Sequence, residues 1–180
     1  MVAHTTSELG RIDILVNNAG VSGKSPLASF DNDAWSRIIE TNLSGPFYCC
    51  RAVASQMIER NSGKIINVSS NYGAMATVGG AAYNSSKAAL NMLTKVMAME
   101  FASHNVCVNG IGPGWFETEM TKAYFESPKI RTDMENIIPM KRFTSLRDLG
   151  LLAVYLASPA SNWMTGQVLY LDGGETASFL

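Results

Sequence analysis

The hydrophobic positions of this chain fall into four short runs, separated by longer segments in which they recur with helical spacing. The runs occupy residues 12–16, 64–68, 106–111 and 168–171. They are rich in β-branched residues and do not alternate with polar positions, which is typical of parallel strands covered on both faces. Because these strands alternate with helices along the chain, the pattern predicts an α/β fold with a parallel sheet and right-handed crossovers.

Three segments are predicted to be helices. The first runs from about Asp31 to about Arg60, with Asp31 or Asp33 as its N-cap. The third begins at Ser145, which with Asp148 forms the S-x-x-D pattern of a capping box. The second spans roughly residues 81–102, and its predicted apolar side consists of Ala89, Leu90, Leu93, Val96, Met97 and Phe101.

The composition excludes several classes of protein. With 180 residues, 47% of them hydrophobic and 16% charged, the chain can form a packed domain and is not disordered. Its 14 basic and 15 acidic residues give a net charge of −1, which predicts no nucleic-acid partner and no membrane-binding surface. Cys49, Cys50 and Cys107 lack metal or disulfide spacing, so we expect reduced thiols in a cytoplasmic protein without a metal site. Neither a membrane span nor a signal peptide is predicted.

Small and polar residues follow every predicted strand. They occupy positions 17–20 (NNAG), 69–70 (SS), 112–114 (GPG) and 172–174 (DGG). In open parallel sheets, ligands bind beyond the carboxyl ends of the strands. These four segments therefore predict where the functional site lies.

Tyr83 and Lys87 provide the strongest candidate chemistry. Four residues apart on one helix face, they place an ammonium beside a phenol, which lowers the phenol pKa toward the range of a useful acid/base. By itself the pair is also compatible with an ordinary surface tyrosine and lysine. Ser70 lies 13 residues before Tyr83, and Asn42 lies 28 residues before Ser70. A hydroxyl, a phenol, an ammonium and an amide together can polarise a carbonyl and protonate an alkoxide.

Pro46 affects Asn42 through the backbone. Because proline has no N–H, it cannot donate the helical hydrogen bond to the carbonyl of Asn42. This predicts a kinked helix and a carbonyl available to water or to a lysine. The alternative is that Gly45 and Pro46 form a kink needed only for packing.

Together these motifs resemble the short-chain dehydrogenase/reductase family. Four signatures occur in the family's order: the NNAG turn at residues 17–20, Ser70 at a strand end, the YxxxK motif of Tyr83 and Lys87, and a PG-x-x-x-T segment at residues 113–118. The resemblance covers essentially the whole chain and implies a Rossmann-like, doubly wound parallel sheet. It also implies reversible hydride transfer between NAD or NADP and an alcohol/ketone pair, in an enzyme that forms a homodimer or homotetramer.

The resemblance implies a role for each motif residue. Tyr83 would be the acid/base, and Lys87 would lower its pKa and hold the nicotinamide ribose. Ser70 would hydrogen-bond the substrate oxygen, and Asn42 would hold a proton-relay water through its main chain. The implied cofactor-binding residues are Asn18, Ala19, Gly20, Tyr83, Lys87, Pro113, Gly114, Phe116 and Thr118.

The chain departs from the family at its N-terminus. Family members run to about 250 residues and begin with a strand and a glycine-rich pyrophosphate turn, which has no counterpart here. The resemblance therefore implies that residues 1–180 form a single partial domain, the C-terminal four strands and their helices, with residues 1–11 ending a preceding helix. It follows that residues 14–16 form an exposed sheet edge and that this chain alone binds NAD(P) weakly.

Two functional hypotheses follow: an oxidoreductase, or a catalytically silent module that assembles with full-length relatives. Retention of Ser70, Tyr83 and Lys87 favours the oxidoreductase. Residues 119–142 lie where the family has a mobile substrate lid, although their sequence also fits a plain surface loop. Residues 110–120 are similar to the gluconate 5-dehydrogenase and 3-oxoacyl reductase branch of the family.

Overall fold

The four predicted strands form one parallel sheet in the computed structural model, which describes residues 1–178. Their order is β1 (Ile14–Asn17), β2 (Gly63–Val68), β3 (Val106–Pro113) and β4 (Val168–Leu171). The first strand begins later than predicted because the backbone of Ile12 pairs with side chains instead of a strand. Its amide donates to Gln56 Oε1 at 3.3 Å, and its carbonyl accepts from Arg60 Nη2 at 2.7 Å.

Seven α-helices flank the sheet within residues 1–178. They are α1 (Val2–Leu9), α2 (Asn32–Ile39), α3 (Gly45–Glu59), α4 (Ala81–Phe101), α5 (Lys122–Phe125), α6 (Pro128–Ile137) and α7 (Leu146–Ala157). The Ala34 amide donates to the Asp31 carboxylate at 2.8 Å, so Asp31, and not Asp33, caps α2. The Ser145 amide donates to the Asp148 carboxylate at 3.3 Å, which confirms the predicted capping interaction at the start of α7.

The helix predicted between Asp31 and Arg60 is interrupted by a π-helical turn at Glu40–Ser44. Here the Gly45 amide donates to the Glu40 carbonyl, one residue further back than in an α-helix. Pro46 has no N–H to donate to the carbonyl of Asn42, so the α-helix is interrupted at the position that the sequence predicts. Asn42 lies inside the turn and is completely buried.

Two hydrophobic cores lie on opposite faces of the sheet, which confirms the doubly wound architecture. Ile65 packs on one face against residues of α3 and α4, including Val53 and Met97. The next residue, Ile66, packs on the other face against Leu156 of α7. Successive residues of a strand point to opposite faces, so a strand covered on both faces needs an unbroken apolar run.

The apolar side of α4 differs in one position from the predicted side. Val96 is 45% exposed, whereas the neighbouring Thr94, Met97 and Ala98 are buried. The Thr94 hydroxyl is satisfied there, because it accepts from Asn67 Nδ2 and donates to the Leu90 carbonyl, both at 2.8 Å. A polar residue with satisfied hydrogen bonds therefore lies in the buried face of α4, whereas Val96 lies outside it.

Strand β1 lies at an edge of the described sheet, as predicted. It pairs only with β2 among the described strands, and Ile14 and Val16 are 44% and 47% exposed. An apolar edge of this kind offers unpaired backbone groups to another strand. Within residues 1–178, no helix has the length and apolar character needed to cross a bilayer.

Candidate active site

Ser70 sits at the end of the segment that follows β2 and begins a short 3₁₀ turn at Asn71–Gly73. Its Oγ accepts from the Tyr72 amide and donates to Asn71 Oδ1, both at 3.1 Å. The turn lies directly against α4, because a Cβ on Gly73 would come within 2.6 Å of Asn91 Nδ2. Glycine therefore permits the close approach that brings Ser70 to the face of α4 carrying the candidate acid/base.

Lys87 projects from α4 toward the end of β2. Its ammonium donates to the Val68 carbonyl at 2.8 Å and lies 5.8 Å from the centre of the Tyr83 ring. The residue is 3% exposed, and burial lowers the pKa of its ammonium to about 8. A cation is therefore held beside the phenol, as the i, i+4 spacing predicted.

The sequence predicted a lowered pKa for Tyr83, and the structure gives a raised one. Burial raises the pKa of the Tyr83 phenol, and only its contact with the Ser70 hydroxyl acts in the opposite direction. The physical reason is that the two groups are buried together and the ammonium is hydrogen-bonded to the Val68 carbonyl. Desolvation of the phenolate is the larger effect, so the net pKa of Tyr83 lies above its usual value.

Asn42 makes side-chain contacts that the sequence did not predict. Its amide pairs with the backbone of Val21, donating to the carbonyl and accepting from the amide, both at 2.9 Å. It also donates to Ser86 Oγ at 3.1 Å. Asn42 thus ties the loop after β1 to α4, and a Cβ on Gly20 would lie 3.4 Å from its Oδ1 and 3.5 Å from Lys87 Nζ.

One cleft of about 490 Å³ brings together all the residues predicted to bind the cofactor. Its lining contains the strand-end segments after β1, β2 and β3, together with the face of α4. The predicted residues among its lining are Asn18, Ala19, Gly20, Ser70, Tyr83, Lys87, Pro113, Gly114, Phe116 and Thr118. Asn42 does not line it and lies behind Gly20.

A second cleft of about 180 Å³ opens on the other side of Ser70 and Tyr83, which line both. Its wall is aromatic: the Trp115 ring packs edge-to-face with Tyr72 at 6.0 Å and with Tyr124 at 5.6 Å between ring centres. Lys24 also lines this cleft, with Nζ 5.6 Å from the Tyr124 ring centre.

Sequence reasoning did not single out Lys24, Tyr72 or Trp115 as site residues. Their positions could have indicated them, because each lies within a few residues of a strand-end motif. Part of the predicted lid lines the smaller cleft, through Met120, Thr121 and Tyr124. Helices α5 and α6 occupy much of residues 119–142.

A family model described as enoyl-(acyl carrier protein) reductase matches residues 1–176. The chain belongs to the short-chain dehydrogenase/reductase family. This confirms the resemblance based on the NNAG, Ser70, YxxxK and PG motifs. It also confirms the prediction of an NAD(P)-dependent oxidoreductase, and the silent-module hypothesis is not favoured.

Similar members of the short-chain dehydrogenase/reductase family include two enzymes named for gluconate or 5-keto-D-gluconate. The chain is 39% identical to 5-keto-D-gluconate 5-reductase of Escherichia coli K12 over 173 residues, covering 96% of the chain and 68% of that protein. It is 38% identical to gluconate 5-dehydrogenase of Gluconobacter oxydans, covering 98% of the chain and 69% of that protein. The chain thus spans somewhat more than two thirds of these relatives.

Solved structures of the same family share the fold closely. Gluconate 5-dehydrogenase of Burkholderia cenocepacia J2315, in complex with NADP and tartrate, is 38% identical with a TM-score of 0.96, covering 99% of the chain and 70% of that protein. A 4-hydroxyisoleucine dehydrogenase mutant complexed with NADH and succinate is 35% identical with a TM-score of 0.94, covering 99% and 74%. The Rossmann-like architecture predicted from the family resemblance is therefore confirmed.

Proposed function

We propose that this chain carries the proton-transfer and substrate-binding residues for reversible NAD(P)-dependent oxidation of a small hydroxy acid to an oxo acid. The observation that carries the proposal is that Ser70 and Tyr83 line both clefts. A side chain that lines both a cofactor cleft and a substrate cleft is placed to act on the substrate atom that reacts with the cofactor.

The lining of the larger cleft fits a nicotinamide nucleotide. The Lys87 ammonium and the Tyr83 phenol offer hydrogen bonds suited to ribose hydroxyls, with Asn18, Ala19 and Gly20 beside them. A Cβ on Gly114 would lie 2.8 Å from the Asp172 Cα, so only glycine fits between the strand ends there. Nicotinamide and phosphates would be held by Pro113, Gly114, Phe116 and Thr118. When bound, the nicotinamide supplies the carbon that gives or takes a hydride.

The proton chemistry belongs to the chain's own side chains. Tyr83 exchanges a proton with the substrate oxygen, and the Ser70 hydroxyl hydrogen-bonds that oxygen and orients it. Lys87, whose pKa is about 8, is mostly charged at neutral pH and stabilises the phenolate as it forms. Asn42 positions the loop after β1 through Val21, and we assign its main-chain carbonyl to the relay water.

The substrate class follows from Lys24. It is the one charged side chain lining the smaller cleft within the described part of the chain, where it faces polar groups such as Thr77 and Asn84. A cation in a small cleft attracts a carboxylate, and the amide and hydroxyl groups suit substrate hydroxyls. The solved relatives described with tartrate and with succinate, both dicarboxylates, support a hydroxy acid.

We expect Lys24→Met to raise KM for a six-carbon sugar acid by about 10–100-fold, because a charge-assisted hydrogen bond is lost. The change in kcat is expected to be smaller, since Lys24 takes no part in the proton transfer. Steady-state kinetics with gluconate, 5-ketogluconate and a neutral ketone make the measurement, with Lys24→Arg as the matched control. An equal loss on the neutral ketone would contradict a carboxylate site.

We propose further that two copies of the chain associate through the outer faces of α3 and α4. Phe47 and Tyr48 on α3 and Met92 and Met99 on α4 are exposed, and Met99 is 82% exposed. Contiguous exposed apolar residues of this kind mark protein–protein contacts. A second copy is the partner that presents the same apolar faces.

Light scattering coupled to size exclusion tests this association. Wild type is expected to elute as a dimer or tetramer, and Met99→Glu to shift it toward monomer because a charge would be buried at the interface. Val78→Glu is the control, since Val78 is 95% exposed in the turn before the N-terminal end of α4, whereas Met99 lies near the C-terminal end of that helix. A monomeric wild type, or an equal shift in the control, would reject the interface.

We also propose that residues 1–180 act as one partial dinucleotide-binding domain in the cytoplasm. A single sheet with a core on each face supports one domain. The free thiols of Cys49, Cys50 and Cys107 are suited to a reducing compartment.

A further inference from the structure

A buried carboxylate lies directly behind the candidate active site. Glu175, in the short turn after β4, is 3% exposed. Its Oε2 accepts from Asn71 Nδ2 at 2.8 Å, across 104 positions of sequence. The Trp115 side chain also favours its ionised form. A buried carboxylate is costly unless its oxygens are hydrogen-bonded, and Asn71 supplies such a bond.

Asn71 connects this carboxylate to Ser70. Its Nδ2 is committed to Glu175, so its other end, Oδ1, faces the Ser70 hydroxyl and accepts from it at 3.1 Å. An asparagine amide has one donor end and one acceptor end, and an ionised carboxylate accepts only. Ionised Glu175 therefore fixes which end of the Asn71 amide faces Ser70.

We propose that Glu175 is a positioning residue: through Asn71 it sets the hydrogen-bond direction of the Ser70 hydroxyl. The proposal rests on the assignment of Ser70 to the substrate oxygen. Without the carboxylate, the Asn71 side-chain amide can rotate by about 180° and donate an N–H to Ser70 Oγ. The Ser70 proton would then lose its acceptor, and the Oγ lone pair left for the substrate hydroxyl would be taken by the Asn71 N–H.

The charged and titratable groups around Glu175 predict a dependence on pH. Asp172, in the same loop, and burial both raise the pKa of Glu175, while Asn71 and Trp115 oppose the rise. Burial and the nearby Glu175 raise the pKa of the Tyr72 phenol to about 12, so this phenol stays neutral. Once protonated, Glu175 can donate to Asn71 Oδ1, and the reversed amide becomes accessible. Loss of the fixed Ser70 direction is therefore expected on the acid side.

Nuclear magnetic resonance of the ¹⁵N-labelled chain tests the contacts without any need for turnover. The Trp115 indole and Asn71 side-chain amide resonances are expected to shift together with pH on the acid side, and Glu175→Gln is expected to abolish both shifts. Trp35 and Trp163 are internal references in the same spectra. Titration of the two resonances in Glu175→Gln, or their silence in wild type, would overturn the proposal.

Kinetics then test the link to Ser70. Glu175→Leu is expected to lower kcat by about 10-fold, the effect of one buried hydrogen bond, with the KM for the nucleotide unchanged. Glu175→Gln can donate as well as accept, as protonated Glu175 can, so it is expected to show the lowered acid-side kcat at every pH and to lose the acid-side dependence. In a Ser70→Ala background neither substitution is expected to lower kcat further. Glu117→Gln, an exposed carboxylate, is the control.

Two outcomes separate the proposals. Wild type without turnover on any hydroxy acid would reject the proposed function, while the resonance experiment would still decide the role of Glu175. An equal kcat loss from Glu175→Leu in the wild-type and Ser70→Ala backgrounds would show a general structural effect and reject positioning through Ser70. If Glu175→Leu does not fold, Glu175→Gln and its pH profile carry the test alone.

Discussion

Tyr83→Phe is expected to lower kcat for oxidation of the hydroxy acid by about 10²–10⁴-fold, the usual contribution of a positioned acid/base. The substitution removes a single oxygen from a ring packed between Ser70 and Lys87, so the shape of the cleft is kept. Binding of NAD or NADP is expected to remain nearly unchanged. Steady-state kinetics and calorimetric titration with the nucleotide measure the two quantities separately.

Tyr72→Phe provides the matched control for Tyr83→Phe. Tyr72 lines the same substrate cleft but, unlike Tyr83, does not line the cofactor cleft, so its phenol is not placed at the reacting atom. Its substitution is expected to change KM and leave kcat within a few-fold. Comparable loss of kcat in both variants, or retention of most activity in Tyr83→Phe, would place the acid/base elsewhere.

Lys87→Met is expected to lower activity by about 100-fold or more and, at the same time, to stabilise the free protein. Activity falls because the phenolate of Tyr83 loses the cation beside it and the cofactor cleft loses an ammonium. Stability rises because a buried charge with a lowered pKa is replaced by an apolar side chain of similar length. A residue kept at a cost to stability is typical of an active site.

The pH dependence of this stabilisation has a definite sign. Burial lowers the pKa of Lys87 from 10.5 to about 8, so between these values the unfolded chain binds more protons than the native one. The free energy of unfolding of wild type therefore gains a contribution as pH rises through this window. The advantage of Lys87→Met, about 1–3 kcal/mol below pH 8 after loss of the hydrogen bond to Val68, is expected to shrink above it.

Denaturant unfolding of both proteins at several pH values measures this difference. Lys95→Met is the control, because Lys95 is on the same helix but exposed to solvent. The control is expected to change neither activity nor the pH dependence of stability. A Lys87→Met protein that is less stable than wild type at pH 7 would contradict the assignment of Lys87 as a buried cation retained for function.

The elements of the fold could be predicted largely from local patterns. The unbroken runs that include Ile65 and Ile66 indicated strands covered on both faces, and both faces do carry helices. Pro46 indicated the break in the first long helix, since a missing N–H acts within one turn. The burial of Thr94 could not be predicted, because hydrophobicity alone does not show that its hydroxyl finds partners in the core.

The composition of the site was also accessible from sequence, but its electrostatics were not. The motifs named the cofactor-cleft residues because each stands at a strand end or on one face of a helix. The spacing of Tyr83 and Lys87 predicted a lowered tyrosine pKa, whereas the structure raises it. Spacing shows which groups are adjacent, but only packing shows how much water both have lost.

The sequence by itself determined the sheet, the family and the side chains of the proton chemistry, because periodicity, caps and strand-end motifs act over a few residues. Only the tertiary structure decided that Lys24 and Trp115 share a cleft with Ser70 and that Glu175 lies behind Asn71. These contacts join strand ends that are distant in the chain and adjacent in the sheet. Contacts between residues so distant in the chain depend on how the whole sheet packs, so a local sequence pattern does not predict them.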